Sequence, residues 1–222
     1  MLPLGDTTMM ALTLENLRLN GIQEAVIVTG YRADALEEYV RSIQDSLHVE
    51  FVHNPDYLTT NNAYSLSLSG PHAAGEPFVL LDCDIVFEPE VLKRVLESRN
   101  ETALAIQRRN DLCDEEMKVY SGDDKTVDRL TKDGNPRDAA GESIGIEAFS
   151  AGFSARLFDI LNERVAQGPG KTEFYEAAFQ ELINRGETMH LVDVTDCRVM
   201  EVDFQSDLER AEREILPFLR HS

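Results

Sequence analysis

Phe78-Val79-Leu80-Leu81-Asp82-Cys83-Asp84 is the stretch on which the fold turns. Phe78 to Leu81 is a short apolar run of the kind buried on both faces in a parallel sheet. It ends in two carboxylates with one residue between them. Ligands of open α/β sheets bind beyond the carboxyl ends of the strands. Side chains alternate along a strand, so Asp82 and Asp84 share a side while the strand persists. Such a pair suits Mg²⁺, which takes one or two carboxylates together with substrate phosphates. The same residues also suit a solvated turn ahead of the helix that Pro89 opens, and the pattern leaves both readings standing.

Working outward, the neighbouring segments alternate between helical and strand patterns. Met10, Leu14 and Leu17 recur at helical spacing within Thr8–Asn20, and Gly21 is a natural stop. Glu24–Gly30 holds a β-branched run, Asp34–Asp45 is helical, His48–His53 is a strand and Asn62–Ser69 a short helix. Pro77–Asp82 is another buried strand. A helix runs from Pro89 to Arg99, and a strand from Glu101 to Arg108. Strands followed by helices predict right-handed βαβ units on a mostly parallel sheet flanked by helices, a Rossmann-like α/β architecture. Beyond Arg108, Met117–Tyr120 and Lys125–Leu130 predict a hairpin around Gly122-Asp123-Asp124. Ser143–Ser150 is a strand, and helices follow over Gly152–Gln167 and Thr172–Arg185. His190–Val194 and Val199–Val202 are strand-like, and Ser206 is a suitable N-cap for a last helix to Ile215. Sheets of this kind open on a strand, whereas this chain opens on a proline turn and a helix. The pattern therefore predicts a missing first strand.

Composition narrows the function classes. The chain has 222 residues, 42% of them apolar, enough for one buried core, and no linker or repeat divides it. Acidic residues number 41 against 21 basic, a formal net charge of -20. That balance repels nucleic-acid backbones and anionic membranes, so neither is expected as a partner. Cys83, Cys113 and Cys197 have no metal or redox spacing and predict reduced thiols in the cytoplasm. His48, His53, His72, His190 and His221 are scattered and make no metal set. The sequence contains neither a Walker loop nor a Gly-x-Gly-x-x-Gly motif.

Two further constellations accompany the first. Glu201-Val202-Asp203 ends a strand just before the last helix, and alternation puts Glu201 and Asp203 on one face. Alone, the pair is also explained by Asp203 and Asp207 capping the helix that follows, where acidic residues favour the positive end. Asn54-Pro55-Asp56-Tyr57 leads to Thr60-Asn61-Asn62-Ala63-Tyr64-Ser65, whose amides suit a base edge or ribose, or simply a capped turn.

Taken in order, these segments resemble the sugar-phosphate and phosphocholine nucleotidyltransferases, in particular their cytidylyltransferase-like branch. The resemblance covers nearly the whole chain. Leu2-Pro3-Leu4-Gly5 with Leu14-Glu15-Asn16-Leu17 is similar to the stretch after the family's Pro-Lys pair. Val28-Thr29-Gly30-Tyr31 resembles its second strand and turn, and Asn54-Pro55 with Asn61 to Leu66 the segment facing the nucleoside. Leu81-Asp82-Cys83-Asp84 matches the aspartate-bearing strand. Glu115 to Lys118 and Gly141 to Ile146 resemble stretches on the acceptor side. Glu201-Val202-Asp203-Phe204 with Asp207 to Ala211 resembles the closing signature, although Val199-Met200 stands where the family often has Trp.

The resemblance implies a nucleotidyltransferase that joins an NTP, in first place CTP, to a small phosphorylated alcohol or sugar and releases pyrophosphate. Asp84 and Asp203 fall on the family's two metal aspartates, with Mg²⁺ as the implied cofactor. Asp82, Asn61, Asn62 and Ser65 fall on the nucleotide side. Lys118 is expected at phosphate as a catalytic group, and Lys132 and Glu142 on the acceptor side. The family's first strand and its loop resembling Leu-Ala-Ala-Gly-x-Gly-x-Arg-Leu have no counterpart after Met1. The expectation is therefore one N-terminally truncated NTP transferase-like domain over residues 1–222, with little or no transferase activity. The competing readings are a non-catalytic nucleotide-binding or regulatory domain, and a glycosyltransferase using Asp82 and Asp84 for its metal. The acceptor's identity, the base and the oligomeric state stay open.

Overall fold

The computed structural model describes residues 2–98 and 101–219. Arg99, where the sequence placed a helix end, and His221 lie outside the described residues. In chain order the elements are β1 (Pro3–Leu4), β2 (Thr7–Thr8), α1 (Met9–Leu19), β3 (Glu24–Thr29), α2 (Ala33–Ile43) and β4 (His48–His53). Then come α3 (Asn62–Leu68), α4 (Gly70–Ala73), β5 (Phe78–Leu81), β6 (Ile85–Phe87), α5 (Pro89–Glu97), β7 (Ala103–Gln107), β8 (Lys118–Tyr120) and β9 (Arg129–Thr131). The chain continues through β10 (Gly141–Phe149), α6 (Ala151–Gln167), α7 (Glu176–Asn184), β11 (His190–Asp193), β12 (Val199–Glu201), α8 (Gln205–Glu214) and α9 (Leu216–Leu219).

The α/β architecture agrees with the sequence pattern. β3, α2 and β4 form a βαβ unit with parallel strands in register from Glu24↔His48 to Thr29↔His53. In the main sheet the order is β11-β7-β10-β8-β9, and β5 also pairs with β10. β5 and β7 both run antiparallel to β10, and β11 runs parallel to β7. Thus β5, β7 and β11 share one direction, as parallel α/β strands do, and the long β10 runs against them. β8 and β9 form the expected hairpin, with Val119 opposite Leu130, although its second strand begins at Arg129 rather than Lys125.

β10 is buried along its whole length, which is what a strand covered on both faces requires. One face packs Ile144, Ile146 and Ala148 against α1, α2 and α5 through Leu14, Leu17, Val40, Val91 and Val95. On the other, Phe149, Leu104 and Ile106 meet Phe153, Leu157, Phe158 and Leu161 of α6 and Phe179 and Leu182 of α7. α6 is the longest helix among the described residues. Ser150 caps it by accepting the Phe153 N–H at 3.3 Å, and Gly168 at φ 107° ends it.

Two helix starts differ from the sequence expectation. α7 begins at Glu176 rather than Thr172, because the segment before it is bound to α3. Asn61 N–H donates to the Lys171 carbonyl (2.8 Å), and the Tyr175 N–H donates to Asn62 Oδ1 (2.9 Å). Ser206 lies inside α8. Its N-terminus is closed instead by Asp207, whose carboxylate accepts the Phe204 N–H at 3.0 Å.

The paired register of β10 and β7 shifts between Ser143 and Glu147, and Gly145 sits in that irregularity at φ +68°. A Cβ there would stand 2.6 Å from Asp82 Oδ2. Gly145→Ala therefore combines left-handed backbone strain of about 1–2 kcal/mol with displacement of Asp82. Gly75 has a similar φ of +82° and nothing within 4 Å of its missing Cβ. Melting temperature should fall by roughly 2–4 °C per kcal/mol in each variant and clearly further for Gly145→Ala than for Gly75→Ala. Equal falls would show that the Asp82 contact costs nothing.

Candidate functional site

The carboxyl ends of β5 and β7, the first half of β10, and β12 surround a cavity of about 880 Å³. Asp82, Cys83 and Asp84 form its wall where β5 gives way to β6. β6 pairs antiparallel with β12, from Val199↔Phe87 to Glu201↔Ile85, and Val202 N–H donates to the Asp84 carbonyl at 2.8 Å. That short sheet brings Glu201 and Asp203 to the same wall although they are distant in sequence. Burial raises the Asp84 carboxyl above its ordinary range, and the charge of Asp203 adds to the rise. Glu201 is pushed up to about 7, first by desolvation, then by the charges of Glu142, Asp84, Asp203 and Asp82.

Below this wall lies a second layer of acids. Asp82 Oδ2 accepts the Tyr175 hydroxyl at 2.9 Å, over the Gly145 backbone. Desolvation lifts Asp82 to about 6 against the opposing effect of that bond, and Asp84 contributes further. Glu176, the first residue of α7, is raised to about 7 by desolvation, with Asp82 adding and Lys132 opposing. Glu147 is fully buried on β10. Its Oε1 accepts the Ser143 hydroxyl at 3.3 Å, and burial drives its carboxyl well above the usual range. The Oε2 atoms of Glu147 and Glu176 are buried and have no hydrogen-bond partner. Desolvated carboxyls with so few donors favour the neutral acid. Ten of the cavity-lining residues are acidic and only three are basic, Arg109, Lys132 and Arg210.

Seven of the nine residues given a role from the sequence line this cavity, Asn61, Asn62, Asp82, Asp84, Lys132, Glu142 and Asp203, and Glu201 of the second acidic pair joins them. Lys118 and Ser65 are not among them. The Lys118 side chain is fully buried, and its ammonium donates to the carbonyls of Lys132 (2.7 Å) and Glu116 (3.3 Å). It fixes the loops that carry those residues and is not placed to meet a phosphate. The Ser65 hydroxyl accepts from Asn54 Nδ2 at 3.1 Å and braces the turn before α3. Asn62 spends its carbonyl oxygen on Tyr175, so loss of this side chain also frees the loop before α7. Lys132 Nζ stands 4.6 Å from the centre of the Phe174 ring.

Glu147, Glu176, Tyr175, Arg109 and Arg210 were not foreseen as site residues. Arg109 lies two residues beyond the end of β7, and a basic residue at a strand end was a readable signal. Glu147 and Glu176 sit inside apolar patterns with nothing in the sequence to mark their burial.

The match to known proteins follows this geometry. The model of the MobA-like NTP transferase domain matches residues 1–172. The chain belongs to that family, and its domain is a nucleotidyltransferase domain. It is 27% identical over 230 residues to CMP-5'-(3-aminopropyl)phosphonate synthase of Streptomyces rubellomurinus, covering 97% of this chain and 35% of that protein. The chain thus spans about a third of the length of that curated relative. Among solved structures it resembles the CTP:phosphocholine cytidylyltransferase LicC of Streptococcus pneumoniae, with TM-score 0.74 and 18% identity over 95% of this chain and 86% of that one. The inositol-1-phosphate CTP transferase of T. maritima gives TM-score 0.71 and 19% identity over 94% and 84%. A UDP-glucose pyrophosphorylase gives TM-score 0.79 and 16% identity over 96% and 88%. At these identities the structural likenesses establish the shared fold.

The acid layer generates a pH signature. Asp82 and Glu176 have folded-state pKa values, about 6 and about 7, above ordinary carboxylate values. In that window the folded protein binds more protons than the unfolded chain, so their contribution is present at lower pH and lost as pH rises through those values. The lowered carboxyls, such as Asp123 at about 2, act at lower pH than this window. Melting temperature should be higher at about pH 5.5 than at about pH 8. Glu176, which faces Asp82, Glu147, Tyr175 and Lys132, should contribute measurably, so Glu176→Gln should flatten the difference. A profile that rises across the window in the unsubstituted protein contradicts the assignment.

Proposed function

We propose that this member of the MobA-like NTP transferase family transfers a cytidylyl group from CTP to a small phosphate or phosphonate that carries a cationic end. The observation that carries this reading is the acidic wall at the strand ends, where the pairing of β6 with β12 brings Asp84 and Asp203 to one cavity of about 880 Å³. The names of the phosphocholine, inositol-phosphate and aminopropylphosphonate relatives support the choice of CTP and of a small phosphorylated acceptor. The excess of carboxylates around the cavity favours an acceptor with an ammonium group over a neutral sugar.

In the reaction, an oxygen of the acceptor's phosphate or phosphonate attacks the α-phosphorus of CTP. A bond forms between that oxygen and phosphorus, the bond to the bridging oxygen breaks, and pyrophosphate leaves with the electron pair. A phosphate monoester is largely dianionic near neutral pH, its second pKa being about 6, so no general base is required. The protein's part is positioning and charge compensation. Among the described residues, no group of three or more His, Cys, Asp or Glu is arranged to hold a metal ion. Two carboxylates on one cavity wall fit Mg²⁺ nevertheless, because this ion completes its octahedron with water and substrate phosphate. Asp84 and Asp203 would hold it, with Asp82 and Glu201 adjacent, and when bound it supplies charge neutralisation at the phosphates. Asn61 and Asn62 border the nucleoside side, Asn62 through its amide nitrogen. Lys132 and Glu142 border the acceptor side. No described helix is long and apolar enough to cross a membrane, and action in the cytoplasm belongs to the same proposal.

Asp84→Asn and Asp203→Asn should each lower Mg²⁺-dependent pyrophosphate release from CTP by about 100-fold or more, since metal-borne charge stabilisation is worth several kcal/mol. Melting temperature should stay level or rise, because each change removes one of two neighbouring like charges. Phosphocholine and 3-aminopropylphosphonate should outperform glucose 1-phosphate as acceptors. Unchanged release in both variants removes the metal assignment, and preference for glucose 1-phosphate removes the cationic acceptor.

A further inference from the structure

We infer that Arg109 receives the anionic group of the acceptor, with Glu142 as its positioning residue and Asp111 as the partner it exchanges for that anion. The inference rests on the transferase reading above and deepens it.

Arg109 lines the cavity just beyond the end of β7. Its guanidinium is held on two sides. Nη1 donates to Glu142 Oε2 at 2.9 Å, while Nε and Nη2 take the two oxygens of Asp111 at 3.0 and 3.2 Å. The two partners are unlike. The Glu142 side chain is 7% exposed and sits on β10, whereas that of Asp111 is 74% exposed on a loop. A buried carboxylate loses much if its only cation departs, so the Glu142 pair is persistent. An exposed pair is worth little and is cheaply given up. Three of the five guanidinium donors are engaged, and one N–H remains on each terminal nitrogen. Phosphate and phosphonate accept from such a planar fork in the two-point manner that Arg favours over Lys.

The location fits the chemistry. Arg109 and Glu142 line the same cavity as Glu201, Asp84 and Asp203. An anion on Arg109 therefore lies in the same cavity as the Asp84 and Asp203 wall proposed to hold the metal ion. The other two cations are less suited. Lys132 is occupied over the Phe174 ring, and Arg210 stands on α8 between Asp207 and Glu214 at 3.8 and 4.0 Å. Both are outside the buried frame that fixes Arg109.

The test is calorimetric titration of the full chain with phosphocholine, with choline and with CTP, all in Mg²⁺. Arg109→Ala should weaken phosphocholine binding about 10- to 100-fold, the range for hydrogen bonds to charged groups. Choline and CTP affinities should be unchanged. Arg109→Lys should recover only part of the loss, because it keeps the charge without the fork. Asp111→Asn should tighten phosphocholine by up to about 5-fold, since it removes the competing exposed partner. Glu142→Gln should weaken phosphocholine without weakening choline. Unchanged phosphocholine affinity in Arg109→Ala overturns the inference and leaves the transferase reading intact if CTP still binds. An equal loss of CTP affinity also overturns it, assigning Arg109 to the nucleotide. An unsubstituted protein that binds neither CTP nor phosphocholine overturns both readings.

Discussion

The close approach of the Asp82 carboxylate to the backbone of Gly145 holds the site to the sheet. β10 pairs with β5, β7 and β8, so whatever it does locally is transmitted to three strands. Its left-handed residue at Gly145 lets the end of β5 fold inward, where Asp82 meets Tyr175. Tyr175 is in turn held by Asn62, and the residue after it is Glu176. One glycine thus couples the aspartate-bearing strand, the asparagine segment and the start of α7. Any side chain at position 145 would push these three apart.

The second constraint is electrostatic. A cavity with ten acidic residues and three basic ones is an unfavourable place for a nucleotide unless the negative charge is managed. Burial offsets part of it by favouring proton uptake, since it raises the carboxyls of Asp82, Glu176, Glu201 and Glu147 above their ordinary range. A cation on Asp84 and Asp203 would manage another part, and an ammonium on the acceptor a third. Burial of carboxyls without partners is costly. Their concentration around the cavity is kept at the expense of stability, which is the pattern expected of a functional site.

Much of this was legible in the sequence because it depends on local pattern. The alternation of apolar runs and helical spacing gave β3, α2, β4 and β5 within a residue or two. Strand-end position picked out Asp82, Asp84, Glu201 and Asp203 without knowledge of pairing. What stayed hidden depends on long-range contacts. Lys118 reads as an available cation next to Met117, and only the hairpin turns it inward to the carbonyls of Glu116 and Lys132. Ser65 reads as a cleft residue, yet Asn54 claims it. The sense of β10 was not legible either, because an apolar strand carries no mark of direction. Glu147 and Glu176 sit among apolar neighbours in the sequence, and only the packing of α7 against the sheet shows that both carboxyls are buried.

The central claim is that the Asp84 and Asp203 wall binds a nucleotide through a divalent ion. Calorimetric titration of the unsubstituted protein with CTP, once in Mg²⁺ and once in EDTA, addresses it most directly. Measurable binding in Mg²⁺ that vanishes in EDTA is the predicted result. Equal affinity with and without the metal would mean that the acidic wall does not hold the ion between protein and phosphate, and the account of the site would fail.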